Sequence, residues 1–311
     1  MQFVYLIMTH QNPAQISRLV HAVLSTSRDG WVLLLHDRKG CSLQAMPWRH
    51  DPRVSVVASP VDVVRGEFSQ VEAYLHALRF LQTAPRPWDW MVCLSGQDYP
   101  VRPTRETEEF LASAPYAAFL HYWPVGGAGD VWRPRQGRIR YHYRYYALPG
   151  WAAPLLRLMK WTHSLQGLWR VFLTYAPKIG VRVRRLPFGD DLRLYGGFAW
   201  HYLRRECVDY IIDFCRRRPD VVEHYRHCIA PDESFVPTVL ANAPAIRICN
   251  DNRRYVDWSE SQDGRPRVLT IRDLPAMCRE AYDFARKFDP QVDAAVLDAL
   301  DRRIAPGASG G

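Results

Sequence analysis

The stretch Cys228-Ile229-Ala230-Pro231-Asp232-Glu233-Ser234-Phe235 places two neighbouring carboxylates where they could do chemistry. Pro231 suits the first position of a helix, which needs no amide hydrogen bond and whose φ the ring presets. Asp232 and Glu233 then fall in the first turn, where the helix dipole favours negative charge. Two readings fit: an ordinary acid-rich helix start, or a carboxylate held at a helix mouth as a general base. Three further polar segments, Thr9-His10, His36-Asp37 and Gly96-Gln97-Asp98, each follow an apolar run. Taken singly they are turn chemistry. At the carboxyl ends of strands in an open α/β sheet they would together line a ligand crevice. No G-x-G-x-x-G or P-loop is present, which removes support for the usual dinucleotide and NTPase readings. His224 and His227, three apart on one helix, could share a metal, but no third ligand is evident and surface histidines are the better reading.

The elements that must position these groups follow a βαβ pattern. Phe3 to Met8 is an unbroken apolar run, as expected of a strand buried on both faces. Asn12 and Pro13 open a helix with Ile16, Leu19, Val20, Val23 and Leu24 on one face. Strands are predicted at Trp31–Leu35, Val54–Val57, Trp90–Leu94, Ala117–Tyr122 and Ala245–Cys249. Ser69-Gln70-Val71-Glu72 reads as a capping box for a helix through Leu81. Tyr195 to His201 reads as a strand or turn with two glycines, followed by a helix from Glu206. Phe235, Val236, Val239 and Leu240 point the Pro231 helix into a core. A helix is expected from Asp273 to about Phe284, closed by Ala285-Arg286-Lys287-Phe288-Asp289, and another from Pro290 with Val292, Val296 and Leu300 inward. The fold class is therefore α/β: one domain over residues 1–304 and a loose tail over 305–311.

The formal charge of +9 is local. Residues 131–189 hold twelve Arg or Lys and no Asp or Glu, leaving 29 basic against 32 acidic residues elsewhere. Pro154 to Tyr175 reads as one amphipathic helix, with Leu155, Leu158, Met159, Leu165, Trp169 and Phe172 on one face. It either packs on its own domain or lies on an anionic membrane. The seven cysteines are scattered, with no C-x-x-C, and fit reduced thiols. Without a secretory or spanning segment, the expectation is a cytoplasmic protein, peripheral at most on the inner face of the membrane.

The landmarks, in order, resemble the core-2/I-branching β-1,6-N-acetylglucosaminyltransferases and peptide O-xylosyltransferases, family 14 of the glycosyltransferases. They are Tyr5-Leu6-Ile7, His36-Asp37-Arg38-Lys39, Phe68-Ser69-Gln70-Val71, Leu94 to Pro100, Gly196 to Trp200, Pro231 to Phe235, Arg254 to Trp258 and Phe284 to Asp289. The resemblance implies a GT-A-like domain with a mostly parallel Rossmann-like sheet, in which residues 131–189 form a basic, aromatic insertion. It also implies a nucleotide-sugar donor and inverting transfer that makes a β linkage without a divalent metal. The absence of Asp-x-Asp, the usual metal signature of that fold, agrees. By position Glu233 falls on the family's catalytic base, and Arg267 and Lys287 on its phosphate-binding cations, with Arg265 or Arg272 as alternatives to Arg267. His10, His36, Asp37 and Asp98 are expected on the donor side, and Asp232, Trp200 and Tyr99 around the acceptor pocket. Asp232 is read as a capping or positioning group. Asp98 and Glu72 stand next in line as base.

The expectation is a departure from the family's best-known members, with no N-terminal membrane anchor and no disulfide framework. A cytosolic, bacterial-type enzyme of polysaccharide or glycolipid synthesis is the expectation. It would take a UDP-sugar, first UDP-N-acetylglucosamine and second UDP-xylose, and a glycan or lipid-linked glycan acceptor. A non-catalytic glycan- or membrane-binding relative is the competing reading. Nucleic acid is not an expected partner, because the helix read within the basic segment is too apolar for a solvated nucleic-acid face.

Overall fold

The computed structural model describes residues 1–127, 129–132, 135–159, 168–173, 177–260, 264–279 and 282–305. Its strands are β1 (Phe3–Thr9), β2 (Trp31–His36), β3 (Val54–Ala58), β4 (Trp90–Ser95), β5 (Asp98–Pro100), β6 (Ala118–Pro124), β7 (Tyr143–Ala147), β8 (Trp169–Phe172), β9 (Lys178–Arg182), β10 (Tyr195–Arg204), β11 (Ile248–Cys249), β12 (Arg254–Val256) and β13 (Phe284–Arg286). Its helices are α1 (Pro13–Thr26), α2 (Phe68–Thr83), α3 (Thr104–Ser113), α4 (Gln136–Tyr141), α5 (Ala153–Met159), α6 (Arg205–Arg217), α7 (Pro219–Tyr225), α8 (Phe235–Ala241), α9 (Leu274–Arg279) and α10 (Ala295–Ile304).

The central sheet runs β11-β6-β10-β4-β1-β2-β3. Strands β4, β1, β2 and β3 are parallel neighbours, and β10 runs against both β4 and β6. The fold is thus mixed α/β with a mostly parallel sheet. The apolar run of β1 serves both faces by its two-residue period. Val4 and Leu6 pack with α2 and α6, whereas Phe3, Tyr5 and Ile7 pack with α1 and α10. A small sheet β12-β13-β5 extends the carboxyl edge, and a third, β7-β9-β8, is built from the basic segment.

Several expectations are corrected. Ser69 is not a cap: Glu67 precedes α2, and the Ser69 hydroxyl accepts the Val64 amide instead. The helix expected to run to Phe284 ends at Arg279, and Phe284–Arg286 is a strand, because it pairs with β12 and β5. The last helix begins at Ala295, leaving Val292 exposed. The Pro154–Tyr175 helix is not continuous: α5 stops at Met159 and Trp169–Phe172 is a strand paired with β9. Lys160, Leu165, Gly167, Thr174 and Tyr175 lie outside the described residues, as does most of the tail.

Strand β10 carries an irregularity between Gly197 and His201 against β6. Such bulges re-aim side chains. Gly197 has no room for a side chain, since a Cβ there would sit 2.2 Å from the His121 carbonyl oxygen and 2.7 Å from Pro237 Cγ. Gly197→Ala should therefore lower stability by about 1–3 kcal/mol, the usual cost of overpacking. A melting curve beside Gly189→Ala, where the nearest atom is 3.6 Å away, checks this.

Candidate active site

The carboxylate turn is a 3-10 turn, Pro231–Glu233, ahead of α8 rather than its first turn. Ala230, at φ 49°, turns the chain into it. Ser234, fully buried, donates to the Tyr195 carbonyl at 2.6 Å, and Ala230 N donates to Gly66 at 2.9 Å, which fixes the turn between β10 and the loop before α2. Phe235, Val236, Val239 and Leu240 are buried, as the periodicity predicts.

The two carboxylates differ. Glu233 is half-buried, and its Oε2 accepts from Arg140 Nη1. Asp232 is less exposed, and its Oδ1 has no hydrogen-bond partner among the described residues. No side chain caps the turn, so Asp232 is not the cap expected of it. Burial and the neighbouring Glu233 push its carboxyl up to about 7, against the pull of its own backbone, Arg140 and Arg65.

A second cluster lies across β10. Asp98 is completely buried; its Oδ2 accepts the Ser95 amide, and its Oδ1 faces Arg254 Nη1 at 3.5 Å and Arg286 Nε at 4.0 Å. These are ion-pair distances without hydrogen-bond geometry, and Nε and Nη1 of both arginines have no hydrogen-bond partner among the described residues. Trp200 receives both cations on its ring, Arg286 at 4.0 Å and Arg254 at 5.3 Å. Burial lowers the Arg286 guanidinium to about 10, with Asp98 opposing and Arg254 and Arg65 adding to the fall; it remains charged at neutral pH. Two cations against one carboxylate leave the cluster positive. Buried charges of this kind are ordinarily paired, so unsatisfied guanidinium N–H groups at the carboxyl edge of a sheet are suited to an anionic ligand. Arg65, in the loop before α2, is a cation that bears on both Asp232 and Arg286.

The other expected residues are placed as follows. His10, His36 and Asp37 come together at the ends of the adjacent strands β1 and β2. His36 bridges Thr9 and the Cys41 carbonyl, each at 2.8 Å, and Asp37 N donates to Thr9 at 2.9 Å. Gly40 permits this, since a Cβ there would meet His36 Nε2 at 2.5 Å. Lys287 follows β13 beside the Asp98 loop: its carbonyl accepts Leu269 N, and Phe288 N donates to Gln97, both at 2.9 Å. Arg267 is already engaged by Asp257 at 2.6 Å and by Asp273 at 2.9 Å, so its guanidinium is not among the unsatisfied cations. Arg265 and Arg272 are exposed. Tyr99 does not line the pocket. It alternates away from Asp98 along β5, is fully buried, and donates to Asp301 of α10. Glu72 pairs with Arg226 at 3.2 Å, and buried His224 is bonded to the Tyr141 carbonyl at 2.9 Å while His227 pairs with Glu223. Sequence reasoning passed over Arg65, Arg140, Arg254 and Arg286 as site residues. Two carried a signal: Arg286 in its place beside Lys287, and Arg254 as the first residue of the landmark Arg254 to Trp258.

The family model of the Core-2/I-Branching enzymes matches residues 3–125 and 160–278. The chain belongs to that family. It is 27% identical to rat xylosyltransferase 2 over 81% of the chain and 28% of that protein, and 26% identical to human xylosyltransferase 1 over 85% and 25%. It is also 27% identical to the β-glucuronosyltransferase GlcAT14A of Arabidopsis thaliana, over 75% and 48%. The chain thus spans about a quarter to a half of the length of these relatives. Among solved structures, mouse xyloside xylosyltransferase 1 aligns with TM-score 0.41 and 10% identity over 91% of this chain and 97% of that one. S. aureus TarS residues 1–349 with UDP-GlcNAc aligns with TM-score 0.37 and 11% identity over 81% and 56%.

The raised Asp232 carboxyl has a thermodynamic consequence. An acid whose folded pKa lies near 7 and whose unfolded pKa is the ordinary 3.8 binds more protons when folded, so its cost to stability grows as pH rises between those values and then levels off. Asp232→Asn removes that cost. The Tm of the variant minus that of the wild type should rise from pH 4 to pH 7 and plateau above. At about 1.4 kcal/mol per pKa unit the full effect is on the order of 2–4 kcal/mol.

Proposed function

We propose that this chain carries an inverting glycosyltransferase centre of the GT-A type. It moves a sugar from a nucleotide diphosphate to a hydroxyl of a glycan or glycolipid, forming a β linkage without a divalent ion. The observation that carries the reading is a half-exposed carboxylate together with a buried, net-positive cluster whose arginine Nε and Nη1 groups lack hydrogen-bond partners among the described residues. Glu233 takes the proton of the acceptor hydroxyl as that oxygen bonds to the anomeric carbon. The bond from that carbon to the diphosphate oxygen breaks, and its electron pair leaves with the diphosphate. Charge grows there, and fixed cations aimed at it lower the barrier. Arg254 and Arg286 join Lys287 in that role, with Arg267 held in reserve by its two carboxylates. His10, His36 and Asp37 face the nucleoside. Trp200 lies between the two halves, held by its cations. N-acetylglucosamine is the first donor sugar to test. The names of the relatives put UDP-xylose and UDP-glucuronic acid in the same panel.

The panel is scored for release of nucleotide diphosphate with and without EDTA. One donor should turn over equally in both, and Glu233→Gln should lose roughly 10²–10⁴-fold in transfer while nucleotide binding by calorimetry is kept. Turnover abolished by EDTA and restored by manganese would overturn the metal-free reading. A Glu233→Gln variant with most of its activity would move the base elsewhere.

The basic insertion supplies the finer reading of where this happens. Among the described residues no helix is long and apolar enough to cross a membrane. Trp151, Leu155 and Leu158 are exposed at α5, with Leu168 exposed before β8, while Leu156 is buried. Arg157, Arg182, Arg184 and Arg185 are exposed on the same insertion, which has no acid to offset them. We read this as a surface that rests on anionic lipid at the inner face of a membrane, where a lipid-linked acceptor would be met. Each cation near such a surface contributes about 1 kcal/mol. The protein should float with vesicles containing anionic lipid and stay in solution with neutral ones, and Trp151→Ala with Leu158→Ala should weaken the binding. Equal recovery in solution for both vesicle types would sink the membrane reading and leave the catalytic one standing.

A further inference from the structure

The catalytic turn is not held by the central sheet alone. Helix α4 of the basic insertion is stitched to it: Ile229 N donates to the Arg140 carbonyl at 3.3 Å, and the Tyr141 hydroxyl donates to the Ala230 carbonyl at 2.9 Å. Below α4, Tyr145 N donates to the His227 carbonyl at 2.8 Å, and the Tyr143 and Tyr145 rings pack on Ile229 and Ala230. Tyr141 is completely buried, and His224 grips its carbonyl. An element tied down this way cannot swing away from the turn without unmaking buried hydrogen bonds, so whatever side chain it aims at Glu233 is a permanent part of the wall.

That side chain is Arg140. Its Nη1 reaches Glu233 Oε2, and its guanidinium lies 4.6 Å over the Trp132 ring. Trp132 is itself held, edge to face with Trp123 at 5.2 Å and against Gly196, where a Cβ would come within 2.6 Å of the indole. A line of contacts thus runs from β10 through Gly196, Trp132 and Arg140 to Glu233. The guanidinium is held from two sides, by the Trp132 ring and by the Nη1 bond to Glu233.

Resting on the transferase reading above, we propose that Arg140 is the positioning residue for the base: it fixes Oε2 of Glu233 so that Oε1 faces the acceptor hydroxyl. The insertion is then a working part of the centre as well as its acceptor-side wall. Transfer needs the hydroxyl proton to be in line with a carboxylate oxygen, and misplacement by about 1 Å can cost roughly 10²-fold.

Among the described residues, the other titratable and charged groups around the turn include Asp232 itself, Tyr141 from α4, Tyr225 from α7, Arg65 from the loop before α2, the Glu67–Lys178 ion pair at the start of α2, and Tyr195 from β10. Arg140 bonds Glu233 and opposes the rise of the Asp232 carboxyl, so removing it takes a cation away from both carboxylates.

The test uses the full chain with its best donor and acceptor, and compares wild type, Arg140→Gln, Arg140→Lys and Glu233→Gln. Transfer rate is followed across pH, with nucleotide binding and melting temperature measured alongside. Arg140→Gln should lower kcat roughly 10- to 10²-fold, move the acid limb of the pH–rate profile to higher pH, and bind nucleotide as wild type does. Arg140→Lys, which keeps the charge without the fork, should restore the acid limb and only part of the rate. If Arg140→Gln proves unfolded, the Arg140→Lys profile decides alone: an unchanged rate overturns the proposal, and a reduced rate with the acid limb in place supports it. A rate and profile unchanged in Arg140→Gln overturn it while Glu233→Gln still abolishes transfer. A rate increase overturns it too, and would make Arg140 a lock on the base. No turnover of any donor by the wild type instead defeats the transferase reading on which it rests.

Discussion

Charge taken out of water at the carboxyl edge of the sheet is the constraint to which the rest of the site answers. Asp98 and Arg254 have fully buried side chains, and Arg286 is nearly so. Such groups are tolerated only with partners, and the partners here come from far apart in the chain: β5, β12 and β13 supply the charges, and β10 supplies the Trp200 ring that covers them. The pairing is incomplete, since one carboxylate faces two guanidinium groups. That imbalance leaves the edge with net positive charge rather than a closed ion pair.

Strand β10 joins this edge to the carboxylate turn. Its glycine end sits against Trp132 and Pro237, where any side chain would force β6, α8 and the insertion apart. Its bulged end turns Trp200 toward the arginines. Because it runs antiparallel within an otherwise parallel stretch of sheet, its start lies at the edge where the other strands finish. Residues 195–200 therefore run from the carboxylate turn at Tyr195 to the arginine cluster at Trp200 without a separate loop.

The insertion adds a second layer. The face of its sheet bearing Tyr143, Tyr145 and Phe172 packs on the Ile229-Ala230 step just before Asp232 and Glu233. Its cations are used unequally. Arg140 and Lys178 are nearly buried and paired with acids of the main domain, whereas Arg157, Arg182, Arg184 and Arg185 face solvent. One acid-free segment thus serves both the interior electrostatics of the site and an exposed surface beside exposed apolar groups.

Glu233 is singled out by the family resemblance, whereas the unbroken apolar runs, the proline- and glycine-marked turns and the order of elements are enough by themselves to read the α/β class, the parallel strands and the loops of His10, His36-Asp37 and Asp98 at one edge of the sheet. Those are local signals, since burial on two faces and turn chemistry leave their mark within a few residues. Tertiary structure decided what local signals cannot carry. Phe284–Arg286 is a strand because β12 and β5 flank it, although its sequence reads as a helix end. Trp169–Phe172 is apolar enough for a helix face but is claimed by β9. Tyr99 turns inward because strand alternation sends its neighbour Asp98 to the pocket. Above all, an arginine in a sequence has no address. Which guanidinium meets two carboxylates, as Arg267 does, which meets one that is shared, as Arg254 and Arg286 do, and which reaches Glu233, as Arg140 does, depends on pairings between residues that lie up to about two hundred positions apart.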